Sequence, residues 1–145
     1  MRYHVSYLTP PPEVLNALPG AGWPNTSETK AYLDASSGFG KSDSEFAAAI
    51  SWAVTNKLYE RVVSLDAPDL EAVFGMCNSI EAYWGDVLPA SAKAAFLKKG
   101  GLRSMSVGDL VDDGNGNYWA VATFGFTPVS IPRNLLQTSS LKGLV

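Results

Sequence analysis

One cysteine and one histidine among 145 residues exclude more chemistry than any motif in the chain asserts. With Cys77 alone no intrachain disulfide can form, and nothing in the cysteine usage points to an oxidising compartment. With His4 alone, any Cys–His or Ser–His–Asp site would have to use a residue on an early strand beside Arg2 and Ser6, a surface or edge position. Charge is also sparse, at 17% of residues and a net -3. The 11 Lys+Arg are scattered apart from Lys98-Lys99 and Arg103, which argues against a nucleic-acid-binding face. The acidic excess is too small for a DNA mimic. No window approaches the run of about 18 apolar residues that a membrane span needs. Residues 1 to 8 lack an apolar signal core and meet Pro10 to Pro12 at once, so a cytoplasmic location is expected.

What is present reads as one α+β domain spanning 1–145: a small antiparallel sheet with two or three helices packed on it. Residues 2 to 8 alternate, with Tyr3, Val5 and Tyr7 on one face and Arg2, His4 and Ser6 on the other, as in a half-buried strand. Residues 19 to 40 predict mostly loop, with a short helix from 27 to about 35. Ser42 and Glu45 form a capping-box pattern, and Phe46, Ala49, Ile50, Ala53 and Val54 then make one helical stripe running to about Lys57. Residues 59 to 65 suit a buried strand. Asp66-Ala-Pro68 predicts a second helix start, with Asp66 as cap and Leu70, Val73, Phe74 and Cys77 as its apolar stripe. Residues 78 to 89 read as irregular. Ser91 predicts a short helix through Lys99, stopped by Gly100-Gly101. From Val107 the pattern is strand, polar hairpin loop, then one or two strands ending in Phe124-Gly-Phe126. The tail from Ser130 is polar with scattered leucines, and is either docked or loose.

Two stretches imitate known ligand loops. Gly38-Phe-Gly-Lys-Ser42 resembles the end of a phosphate-binding loop, but the pattern needs glycine where Ala35 stands and a hydrophobic strand before it. Asp112-Asp-Gly-Asn-Gly-Asn117 resembles a calcium loop, but Tyr118 falls where that loop turns on glycine and Phe124 where its glutamate closes. A capped helix start and a hairpin turn explain both stretches better. Glu81, Asp86, Asp109, Asp112 and Asp113 supply carboxylates that no spacing pairs for acid–base work. Asp109, following Gly108, reads as a side chain capping the amides of the turn. Cys77 on an apolar stripe reads as a small hydrophobe. Trp52 lies off its helix stripe and Trp84 lies in a loop. Such residues either anchor a protein interface or fold back onto the sheet.

Leu70-Glu-Ala-Val-Phe74, Asn78, Glu81 and Trp84, followed by Arg103-Ser-Met-Ser-Val-Gly-Asp-Leu-Val111 and the stretch from Tyr118 to Phe126, resemble the YodL-like family of phages, plasmids and mobile elements. The likeness covers about 69–129. It implies a non-enzymatic protein that binds a host protein or complex and counters a defence, as an anti-CRISPR or antirestriction protein does. The expected contact surface is Asn78, Glu81, Trp84 and the loop holding Asp112, Asp113 and Asn115, with no metal and no cofactor. A second reading is a small-molecule or nucleotide-binding domain, a signal-nucleotide sponge or hydrolase, in which Arg103, Ser104 and Ser106 donate to an anion. A third is a virion structural or assembly protein, which self-associates.

Overall fold

The computed structural model describes residues 1–16, 26–37, 41–78, 84–97, 102–131 and 141–142. Its centre is an antiparallel sheet of β1 (Arg2–Leu8), β2 (Tyr59–Asp66), β3 (Ala95–Phe96), β4 (Leu110–Asp112), β5 (Tyr118–Val121) and β6 (Phe126–Val129). The strand order is β3-β2-β1-β4-β5-β6, and β7 (Leu141–Lys142) adds a short parallel pairing to the start of β2. Helices α1 (Pro12–Leu15), α2 (Ser27–Ser36), α3 (Asp43–Thr55) and α4 (Leu70–Met76) complete the α+β domain.

Helices α2, α3 and α4 each begin where a side chain takes an orphan amide, whereas α1 follows Pro11 without a side-chain cap. Thr26 accepts from Thr29 N at the start of α2, and its own hydroxyl donates to Glu13. Ser42 and Glu45 form the reciprocal capping box of α3. At α4 the cap is Asp69, which accepts from Ala72 N at 2.8 Å. Asp66, expected to cap that helix, is instead the last residue of β2 and pairs with Arg2 at 3.1 Å. Pro68 thus precedes the cap and sets the approach to it.

The sheet is covered on both faces, and the strand registers say which residues go where. Tyr3, Val5 and Tyr7 of β1, Val63 and Leu65 of β2, Val111 of β4 and Val121 of β5 pack with Val73, Cys77, Trp84 and Met105. On the other face Leu8, Tyr59, Leu110, Tyr118, Ala120 and Val129 meet α2 and α3 through Ala31, Ala35, Phe46, Ile50, Ala53 and Val54. The α3 residues are the stripe its spacing predicts. An irregularity between Val5 and Ser6 leaves Val62 as the extra residue of β2, so Val62 and Val63 both join the first core.

Three expectations are corrected. β1 is not a half-buried edge: it lies between β2 and β4, Ser6 is as buried as Val5, and His4 is partly buried. Residues 90–92 form a single 3-10 turn, and Lys93 then adopts φ 45°. Ala95 and Phe96 pair with β2, and Leu97 N donates to Val62 O at 2.9 Å. Pairing on an open sheet edge here overrides the helix preference of the alanines. Residues 98–101, where that helix was expected to end, lie outside the described residues. Phe124 and Gly125 are not strand: they form the β5–β6 turn, with Gly125 at φ 77° and Ala122 N donating to Gly125 O.

Gly108 holds the turn into β4 at φ +94°, and a Cβ there would lie 2.5 Å from the Ala35 carbonyl oxygen of α2. Two independent constraints therefore require glycine. Gly108→Ala is expected to cost about 2–4 kcal/mol from left-handed strain plus the clash with backbone. Urea unfolding checks this, and an unchanged midpoint at unchanged slope would show the turn free to relax.

Candidate functional site

Residues 103–109 build a closed polar knot. Asp109 has no exposed surface and accepts from Leu8 N at 2.9 Å, from Ser106 N at 2.8 Å and from both Arg103 amines at 2.7 and 2.8 Å. Burial pushes its carboxyl above the usual range, and the Arg103 guanidinium and the two amides oppose that shift. Arg103 also donates to Leu8 O, Ser104 O and Ser106 Oγ, and its guanidinium stacks 4.3 Å from the Tyr7 ring centroid. Its carbonyl accepts from Tyr7 Oη at 2.7 Å and from Trp84 Nε1 at 3.0 Å. The expected amide-capping role of Asp109 is what the geometry shows. Both terminal nitrogens of Arg103 are committed inside the protein, which leaves an anion little to bind.

On the face of α2 and α3, a second polar group crosses the sheet. Arg61 pairs with Asp112 at 2.9 Å, both nearly buried, and His4 Nδ1 hydrogen-bonds Ser64 Oγ at 2.6 Å. Burial and then Arg61 hold the His4 pKa below its ordinary 6.5, while Asp112 opposes them; Arg2 and Asp113 act more weakly. Asp113, one residue on, turns away into the hairpin loop. Its carboxylate accepts from Asn115 N, Asn117 N and Asn117 Nδ2 and is held below its usual pKa, first by the Asn117 side chain. Gly114 and Gly116 take positive φ in the same loop. This is hairpin chemistry.

An open groove of about 850 Å³ runs on the opposite face, between the start of α4 and the β4–β5 hairpin. Its floor is aromatic: Tyr3, Trp119 and Phe126 lie on one face of the sheet, on β1, β5 and β6. Leu70 and Met1 complete the apolar part, and Asp69, Glu71, Asp113 and Asn117 supply the polar rim. Phe74, partly exposed on α4, meets the Phe126 ring edge-on at 6.3 Å and extends the apolar surface beyond the groove. Phe124, in the turn that leads to Phe126, is 93% exposed.

The residues singled out from sequence do not form one patch. Asp113 lines the groove and Asn115 is exposed on the same hairpin loop. Asn78 sits at the end of α4, donating to Phe74 O at 2.6 Å. Trp84 is 2% exposed and packs against Phe96, so it folds back onto the sheet and offers no exposed ring. Asp112 is buried on Arg61, and Glu81 lies outside the described residues. Cys77 is buried, with its thiol pushed up to about 12 chiefly by that burial. The phosphate-loop glycines Gly38 and Gly40 also lie outside the described residues. Among the described residues no three of His, Cys, Asp and Glu converge as metal ligands, and no helix is long and apolar enough to cross a membrane. Sequence reasoning missed Tyr3, Asp69, Glu71, Trp119 and Phe126 as one site. Tyr3 lies on β1, Asp69 and Glu71 at the start of α4, Trp119 on β5 and Phe126 on β6, so no local signal joins them. Comparison with protein-family models, curated proteins and solved structures gives no match to this chain.

Asp109→Asn keeps the shape but replaces one acceptor oxygen with a donor facing Arg103. With Arg103 partly solvated, it is expected to cost about 2–3 kcal/mol, below the full value for a completely buried pair. Chemical denaturation measures it, and a loss under half a kilocalorie would overturn the structural role. The single histidine gives a second check. An unfolded His4 takes up its proton near 6.5 and the folded one at lower pH. Across that window the unfolded chain binds more protons, so stability falls as pH drops below about 6.5. Asp112, raised from 3.8 by burial, acts in the opposite direction at more acid pH. The difference between the native chain and His4→Gln therefore isolates the histidine. An NMR titration placing His4 above 6.5 would contradict the arrangement.

Proposed function

We propose that the chain is a non-enzymatic protein-binding module carried by a phage, plasmid or mobile element, which binds a host protein complex and modulates or inhibits it. Defence complexes of the CRISPR or restriction type are its leading targets. The observation that supports binding is the aromatic groove with its exposed phenylalanine border. Trp119 and Phe126 line an open surface, Phe74 extends it, and Phe124 projects into solvent. Large aromatics presented to water and rimmed by polar groups are the usual anchors of protein interfaces. The mobile-element origin and the choice of host target rest on the likeness of residues 69–129 to YodL-like domains. The nucleotide reading has less support, because the donors of Arg103 are already placed on Asp109, Leu8 and Ser106.

The test is affinity capture from host lysate with mass determination of what is retained, followed by reconstitution from the purified partner. A stoichiometric complex that re-forms from pure components is the expected result. Recovery of the chain alone would overturn the reading. Phe124→Ser, at a side chain with almost no packing to lose, is expected to leave the unfolding midpoint unchanged and weaken the reconstituted complex by about tenfold or more.

A further inference from the structure

We propose that the groove between α4 and the β4–β5 hairpin seats a lysine side chain from a basic segment of the partner protein. The ammonium lies among Tyr3 Oη and the Asp69 and Glu71 carboxylates, over the Trp119 and Phe126 rings. The proposal rests on the protein-binding reading above and names the chemistry of the partner. The first observation is Tyr3: the residue is 5% exposed, its hydroxyl has no hydrogen bond among the described residues, and it lines the groove. The ring is packed into the sheet while the hydroxyl opens on the groove, where it is free to accept from a partner. Burial, then Asp69 and Asp113, raise its pKa, so it stays neutral and its oxygen accepts.

The second observation is charge complementarity. Three carboxylates, Asp69, Glu71 and Asp113, rim the groove, and among the described residues no lysine or arginine lines it. Glu71 makes no ion pair among the described residues, and one oxygen of Asp69 is left over after capping Ala72 N. Against them stand the Met1 amino group, which donates to Ala67 O at 3.1 Å, and the positive end of a seven-residue helix, worth about half a charge. The balance is negative. Aromatic faces beside carboxylates attract a cation and accept the methylene stem that carries it. The three N–H donors of an ammonium match the phenol and the two free carboxylates. At about 850 Å³ the groove holds more than one side chain, which favours a segment of protein over a free amine.

Fluorescence anisotropy of a labelled hexalysine peptide against the whole chain tests this. Saturable binding is expected, weakened about tenfold in Asp69→Asn/Glu71→Gln, where asparagine keeps the helix cap, and about threefold in Tyr3→Phe. Glu28→Gln/Asp34→Asn removes two charges from exposed positions of α2 on the opposite layer and is expected to leave the affinity unchanged. Equal weakening by both double variants would reduce the effect to diffuse charge and overturn the site, as would no binding at all. Displacement of the peptide by spermine at equal concentration would overturn the choice of a protein segment. If the host partner captured by the native chain is retained equally by Asp69→Asn/Glu71→Gln, the lysine site falls while the protein-binding reading stands. If no partner is captured, that reading falls and the hexalysine measurement still decides the groove.

Discussion

A carboxylate with no contact with water, Asp109, is the point through which the two halves of the chain are joined. A buried anion is tolerated only when nearly all its lone pairs are occupied. Its four donors come from the last residue of β1, from the turn before β4 and from the fork of Arg103. Meeting them fixes where β1 stops, how the turn bends and where the Arg103 carbonyl points. That carbonyl then gathers Tyr7 and Trp84. On the other side of the same turn, Gly108 presents its carbonyl to Tyr59 Oη at 2.6 Å and its bare Cα to α2. The knot therefore touches both cores.

The two ends of the β4–β5 unit do different work. The end at 103–109 has its polar groups paired with one another. At the far end the two-residue period of a strand sends successive carboxylates to different fates. Asp112 goes to the α3 face, where Arg61 neutralises it, and Asp113 goes to the loop at the groove mouth. The groove is open because α4 is only seven residues long and leaves the outer part of Trp119 and Phe126 uncovered.

Much of this was legible in local pattern. The capping box, the five-residue stripe of α3, β1, β2 and the amide-capping role of Asp109 all follow from signals within a few residues of each other. What was not legible depends on partners distant in sequence. Nothing near His4 or Ser6 announces that both faces of β1 are covered, because one cover is α2 and α3 and the other is α4 with the segment around Trp84. Trp84 looks exposed in a loop only until Arg103, 19 residues on, offers its carbonyl. Asp66 and Asp69 are equally good caps by composition, and the ion pair with Arg2, 64 residues away, separates them. The groove draws on β1, α4, β5 and β6 at once, so no window of sequence contains it.

The central place of β1 has a kinetic meaning. β1 is flanked by two strands that both follow it in the chain, and its closing bond to Asp109 spans 101 residues. Such long-range closure slows folding, because the loop entropy must be overcome before the contact rewards it. On a ribosome, β1 with its two tyrosines on one face must wait unpaired on one side until residues 110–112 have emerged. The proline cluster at Pro10 to Pro12 bounds that waiting segment to seven residues, a short template for mispairing.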